Sequence, residues 1–301
     1  MARAVAADYM NRMSLAVFPA WSWNRSWLGR AGLAAACLVL APADAARASD
    51  ASSWDGGLRA AVRLIAGTPR REGSATIHRA GVEFRLAHGW KTYWRYPGDS
   101  GLPPRFDFTG SENVKAVTIR WPAPQRLDDE AGTSIGYSRD FVLPLDIWPQ
   151  DAAQPVALRL RIDYGICEKL CIPAEGKAEL RLTGAASRHA ERLATFEARV
   201  PRAARLGEAG ALAIRTARRE GDRMLLDVAA PAGAKVELFA EGPSADWALP
   251  VPGPVPGASD GLARFAFKLD GLPPGATPDG ATLTITAVAG DAAIEVPVPI
   301  P

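Results

Sequence analysis

Alternation of apolar and polar residues, in short runs broken by Pro and Gly, constrains this chain more than any other feature. In Gly81-Val82-Glu83-Phe84-Arg85-Leu86-Ala87 the apolar Val82, Phe84 and Leu86 stand two residues apart. Successive side chains of a strand point to opposite faces, so such a run lays one oily face on a core and turns a polar face to solvent. The pattern returns at 117–121, 156–162 and 178–182, then at 212–215, 224–228, 235–239, 263–269, 282–288 and 293–297. Pro97-Gly98-Asp99, Leu102-Pro103-Pro104, Trp121-Pro122-Ala123-Pro124 and Gly290-Asp291 stand between runs and read as turns. Helical spacing occurs at 188–199, through Ala190, Leu193, Ala194 and Phe196, and Pro201 ends it. The expected fold is therefore all-β: a sandwich, a short connecting helix, and a second small β-sandwich. Prolines at alternate positions from Pro250 to Pro256 predict an extended surface loop.

The front end reads differently. Arg3, Arg12, Arg25 and Arg30 face a single acid, Asp8, and the uncharged run Ala31–Pro42 follows. That run is shorter than the ~20 residues a membrane span needs and fits the apolar region of a secretory signal. Ala46-Arg47-Ala48 offers small residues at cleavage spacing, so 1–48 is expected to be a signal peptide that carries Cys37 away. The remainder is expected to be exported and soluble, in a compartment where disulfides form. It divides into a first sandwich at 49–186, a helical connector at 187–201 and a second sandwich at 202–301. A formal charge of +2, with scattered Lys and Arg, speaks against a nucleic-acid surface.

With Cys37 removed, Cys167 and Cys171 are the remaining cysteines, in Tyr164-Gly165-Ile166-Cys167-Glu168-Lys169-Leu170-Cys171-Ile172-Pro173. On a helix their Cβ atoms would lie ~5–6 Å apart, whereas a disulfide wants ~3.8 Å. Gly165 and Pro173 also disfavour a helix, so the pair is expected at the tip of a β-hairpin. A structural bridge is one reading. Closing so small a ring restricts the unfolded chain by only about 2 kcal/mol in the entropy model, which favours a labile redox bond instead. Two thiolates also suit linear Cu(I). Zinc wants four ligands, and His78, His88 and His189 are far apart, so no metal site or cofactor is expected. No nucleophile elbow or phosphate-cradling glycine loop is present. Spacing alone leaves redox exchange and structural bridge level.

The hairpin residues Tyr164, Gly165, both cysteines and Pro173, with the strand Ala178–Leu182, resemble the N-terminal periplasmic domain of the DsbD thiol:disulfide interchange family and its copper-tolerance relatives. Upstream, Gly89-Trp90-Lys91-Thr92-Tyr93-Trp94-Arg95 is similar to that family's aromatic strand. Asp129-Glu130, with Gly132-Thr133-Ser134 and Tyr137, resembles its cap loop, and Phe141–Leu145 the strand after it. The resemblance implies an immunoglobulin-like first sandwich over roughly 55–185. It also implies a protein-disulfide reductase-type oxidoreductase, passing electrons from a membrane-embedded thiol reductase to periplasmic thioredoxin-like proteins. Cys167 and Cys171 would exchange, Asp129 and Glu130 would handle protons, and Tyr93 would form an aromatic wall. The family's cysteines are spaced more widely, and Ala131-Gly132 stand where its cap carries aromatics. Trp94 or Tyr137 is the expected substitute. Lys169 would favour a thiolate and Glu168 oppose it; by analogy with other dithiols, Cys171 attacks first. The alternatives to the redox relay are Cu(I) handling or assembly, and a structural sandwich with a staple disulfide.

Overall fold

A computed structural model describes residues 49–98, 101–129, 132–258 and 261–301. The expected signal peptide, 1–48, and its cleavage point lie outside the described residues.

The first half runs through β1 (Asp55–Gly56), β2 (Ala60–Ala66), β3 (Arg70–Glu72), β4 (Ala75–Leu86), β5 (Lys91–Gly98) and β6 (Arg105–Asp107). It continues with β7 (Val114–Ile119), β8 (Gln125–Asp129), β9 (Gly132–Tyr137), β10 (Phe141–Pro149), β11 (Val156–Cys167) and β12 (Cys171–Leu182). Helix α1 (Ala190–Glu197) follows, then β13 (Arg202–Ala203), β14 (Ala213–Glu220), β15 (Arg223–Ala229) and β16 (Val236–Glu241). The chain closes with β17 (Gly253–Val255), β18 (Leu262–Lys268), β19 (Thr282–Ala289) and β20 (Ala292–Pro299).

Among the described residues these strands form four sheets, two to each sandwich. One sheet of the first sandwich runs β1-β2-β4-β10-β7, with β3 on β4; the other runs β12-β11-β5-β9-β8, with β6 on β11. Alternation decides which residues meet between them. Val62, Leu64, Val82, Phe84, Phe141 and Leu143 face inward from the first sheet, in the antiparallel registers Val62↔Phe84 and Phe84↔Phe141. From the second sheet Leu158, Leu160, Ile162, Tyr164 and Ile166 of β11 answer them, while Arg161 and Asp163 point out. A run of rings crosses this core: Tyr137 stacks on Phe141 at 4.0 Å, Phe141 on Phe84 at 4.5 Å, and Phe84 meets Tyr164 edge-on at 5.5 Å.

Strand β10 is buried on both faces, which is why Phe141–Leu145 reads as an unbroken apolar run. Its outer face is covered by α1. Leu193 of the helix seats where Gly67 and Gly81 lack side chains: a Cβ on either would fall 2.4 Å or 3.1 Å from it. Ion pairs Arg79–Glu197 and Arg192–Glu83 fasten the helix to β4. The expected connector is thus docked on the first sandwich.

The second sandwich stacks β13-β20-β19-β16 on β14-β15-β18-β17. Ile214, Met224, Leu226 and Val228 pack against Leu283, Ile285, Val296 and Val298. The proline-rich stretch is a correction to the sequence reading. Gly253–Val255 pairs with β18, and Pro252 is buried beside it, because alternate prolines are compatible with an edge strand whose missing N–H groups face away from the ladder.

Strand β5 joins the two halves. Trp94 lies 5.9 Å from Phe239 of β16, Arg95 pairs with Glu241 at 2.7 Å and with Glu295, and the Tyr96 hydroxyl donates to Leu249 O at 2.6 Å.

Candidate redox site

The long hairpin β11–β12 stays in register for its whole length, and its last opposed pair is Cys167↔Cys171. Glu168, Lys169 and Leu170 close the turn. The Cα atoms of the pair are 4.1 Å apart, near the separation of directly opposed residues in an antiparallel pair, and the sulfurs are joined as a disulfide. Hairpin register, rather than helical spacing, brings the sulfurs within bonding distance. The two sulfurs are not equivalent. Cys167 is 3% exposed, whereas Cys171 opens to solvent.

Strand β5 lies beside β11, with Thr92 opposite Ile166 and Lys91 opposite Cys167. Continuing that register sets Tyr93 against Gly165. The absent side chain matters here: a Cβ on Gly165 would fall 2.9 Å from Tyr93 Cε2 and 2.9 Å from Leu102 Cβ. The Tyr93 ring therefore lies across Gly165, and its hydroxyl sits 3.0 Å from Cys171 Sγ. A disulfide sulfur carries no proton, so the hydroxyl is the donor. Gly101 borders the other edge of the ring, where a Cβ would meet Tyr93 Cδ1 at 2.6 Å. The hydroxyl of Thr92, on the opposite face, donates to Gly165 O at 2.8 Å and ties β5 to the hairpin.

Of the residues expected around the sulfurs, Tyr93 is brought to Cys171. Trp94 and Tyr137 are placed elsewhere, contrary to the expectation that one of them covers the disulfide. Neighbours on a strand face opposite ways, so Trp94 points away from the face of Tyr93. It is fully buried in the core against Phe239, with the Arg95 guanidinium 4.4 Å above its ring. Tyr137 opposes Thr92, shares its core-facing side, and donates its hydroxyl to Pro122 O at 2.8 Å. Burial pushes the Tyr137 phenol well above its ordinary pKa and Tyr164 up to about 12, so both stay neutral. The acids Asp129 and Glu130 belong to the tip of the β8–β9 hairpin. Asp129 opposes Gly132 in the ladder, its side chain and all of Glu130 lying outside the described residues. Asp128 is turned to its own hairpin: Thr133 Oγ1 and Arg126 donate to it, and those bonds lower its pKa. Glu168 folds over Gly89, and Lys169 is exposed.

Sequence reasoning assigned no role to Lys91 or Leu102, and used Gly165 as a hairpin residue without foreseeing that Tyr93 lies across it. Lys91 is 9% exposed, and its ammonium donates to Ser134 Oγ at 2.7 Å. The available signal was the two-residue spacing of Lys91 and Tyr93, which puts both on the sulfur-bearing face. Leu102, far from the cysteines in sequence, is 53% exposed, and Leu170 between the cysteines is 73% exposed. Among the described residues no group of three or more His, Cys, Asp or Glu is placed to hold a metal ion, and no helix is long and apolar enough to cross a membrane.

Fold and hairpin together define a class, the β-sandwich domain that carries a disulfide at a hairpin tip. Residues 65–183, which hold that hairpin, match the family described as Thiol:disulfide interchange protein DsbD, N-terminal. Over those residues the chain therefore matches the family that its motifs resemble. The crystal structure of the N-terminal periplasmic domain of ScsB from Proteus mirabilis is similar, with TM-score 0.64 and 19% identity. The match covers 83% of this chain and 98% of that one. At such identity the likeness is one of fold, and 83% is more than the first sandwich alone supplies. No curated protein matches the chain.

Proposed function

We propose that this protein is a periplasmic thiol–disulfide exchange protein. It relays reducing equivalents between a membrane-embedded thiol reductase and periplasmic thioredoxin-like proteins through Cys167 and Cys171. Export by residues 1–48 belongs to the same proposal, as do the division at 49–186, 187–201 and 202–301 and the proton handling of Asp129 and Glu130. The observation that carries it is the asymmetry of the disulfide: Cys171 is open and hydrogen-bonded by Tyr93, while Cys167 is buried. A staple gains nothing from one accessible sulfur, whereas exchange needs an attackable one and a leaving one. The exposed Leu102 and Leu170 beside it give a partner protein apolar surface to rest on.

Trapping in cells tests this. Cys167→Ala leaves the accessible thiol and is expected to accumulate mixed disulfides. Cys171→Ala leaves the buried thiol and is expected to accumulate far fewer. Absence of mixed disulfides with both variants sinks the relay.

A further inference from the structure

Strand β5 leaves its own sheet immediately after the residue that touches the disulfide. It pairs with β9 through Thr92↔Tyr137 and Tyr93↔Gly136, and the ladder resumes at Gly98↔Ser134. That is five positions along β5 against two along β9, so residues 94–97 form a long bulge. Pro97, which has no N–H to give to a ladder, lies in it, and Gly98, at φ +83°, brings the chain back. On its other side β5 pairs with β11 at Lys91 and Thr92. Tyr93 is thus the last residue in register before the bulge, and its hydroxyl lies 3.0 Å from Cys171 Sγ.

The bulge is not loose, because each side chain from 94 to 96 is held by the second sandwich. Trp94 packs 5.9 Å from Phe239 of β16, which is fully buried. The Arg95 guanidinium donates to both carboxylate oxygens of Glu241, at 2.7 and 2.8 Å, and also to Glu295 of β20. The Tyr96 hydroxyl donates to Leu249 O at 2.6 Å. A bidentate pair fixes direction as well as distance, so Arg95 locks the path of the chain as it leaves Tyr93. The β11–β12 ladder sets where Cys171 stands, and the second sandwich sets where β5 goes after Tyr93. The contact between hydroxyl and sulfur depends on both.

We propose that the second sandwich positions Tyr93 against Cys171, and that Arg95 is the residue through which it does so. This rests on the exchange reading above and gives the second sandwich a part in it. A thiolate accepts a hydrogen bond more strongly than a disulfide sulfur does. When the disulfide opens, the hairpin register keeps Cys171 beside the Tyr93 hydroxyl. The hydroxyl then holds the Cys171 thiolate, the form that attacks a partner's disulfide. Arg95 bonds to Glu241 and Glu295 rather than to a sulfur, and is a positioning residue.

The test uses the full exported chain carrying Cys167→Ala, which leaves Cys171 as a free thiol. Alkylation of Cys171 by iodoacetamide, followed by peptide mass spectrometry across a pH series, gives its pKa. Tyr93→Phe is expected to raise that pKa by about one unit, the worth of one hydrogen bond to a charged group. Arg95→Met is expected to raise it by most of that amount and to add nothing to Tyr93→Phe, since both changes act through one hydroxyl. Arg264→Met breaks an ion pair to Asp227 inside the second sandwich; it costs stability and is expected to leave the profile unmoved. Tyr96→Phe, a milder cut at the same joint, carries the same expectation where Arg95→Met does not fold. A folded joint variant with an unshifted profile overturns the assignment, as does a shift that persists beside Tyr93→Phe. An unshifted Tyr93→Phe, or an equal shift from Arg264→Met, also overturns it. Failure of the relay reads differently: neither trapping variant collects a partner, while the Cys171 profile still answers to Arg95.

Discussion

Replacing Gly165 by Ala isolates the contact on which the site geometry depends. The added Cβ would lie 2.9 Å from the Tyr93 ring and 2.9 Å from Leu102 Cβ, where ordinary contact begins at 3.4 Å. Neither neighbour is the far end of a flexible chain. The ring must therefore lift off Gly165 by about half an ångström or more, a small-to-large strain of about 1–3 kcal/mol. Lifting it draws the hydroxyl from its 3.0 Å contact with Cys171 Sγ and forfeits a hydrogen bond of about 0.5–1.5 kcal/mol. The combined loss, about 1.5–4.5 kcal/mol, corresponds to a fall in Tm of roughly 3–18 °C for a chain of this size. Differential scanning calorimetry reads that fall. Reduction by dithiothreitol, followed by tryptophan fluorescence, reads the second consequence: with the ring displaced, Cys171 is less covered and opens severalfold faster. Tyr93→Phe, which removes the hydroxyl and keeps the ring, is expected to lose about 1 kcal/mol without comparable acceleration. A Gly165→Ala protein that melts within a degree of wild type and is reduced at the wild-type rate refutes the packing argument.

Three further outcomes are expected. Reducing the Cys167–Cys171 bond should lower stability by no more than about 2 kcal/mol, because the ring it closes is so short; urea unfolding with and without reductant measures this, and a much larger loss favours the staple reading. Arg95→Met should destabilise by about 2 kcal/mol, since it leaves the half-buried Glu241 and Glu295 unpaired at the joint between the sandwiches, the value for a fully buried pair being reduced by partial exposure. The double variant Arg95→Met/Glu241→Gln should recover part of that in the same unfolding assay, and no recovery would place the loss elsewhere. In the second sandwich, the hydrogen bond from Arg264 holds the Asp227 pKa below 3.8, with further help from Thr216 and Arg218. The folded-state value is depressed, so this contribution is complete above the unfolded pKa and is lost as pH falls through the folded one. Urea midpoints for wild type and Asp227→Asn should therefore converge below about pH 3.8, and a constant gap on acidification would contradict the assignment.

The all-β class was legible because period-two alternation survives wherever one face of a strand meets solvent. Strand β11 has such a face, and its Val156, Leu158, Leu160 and Ile162 were read correctly. Strand β2, buried on both sides as Ala60-Ala61-Val62-Arg63-Leu64-Ile65-Ala66, gave no alternating signal and went unread. The short helix was legible from Leu193 and Phe196, though not the surface it covers, which depends on two glycines, Gly67 and Gly81, in other elements. At the site, the hairpin and its two cysteines could be read from Gly165, Pro173 and the flanking alternation. The aromatic wall was assigned to Tyr93, but Trp94 and Tyr137 were assigned the cap, because residue type does not say which side of a sheet a side chain takes.

What the sequence by itself determined is local: which stretches are strands, where they turn, and that Cys167 and Cys171 meet at a hairpin tip. Alternation, turn residues and ring size are properties of neighbouring residues, and they need no knowledge of the rest of the chain. What only the tertiary structure decided is the polarity of the site. The pairing of β5 with β11 sets Lys91 opposite Cys167, lays Tyr93 over Gly165 onto Cys171, and buries one sulfur while leaving the other open. Strand register joins residues more than seventy positions apart, and no spacing along the chain encodes it.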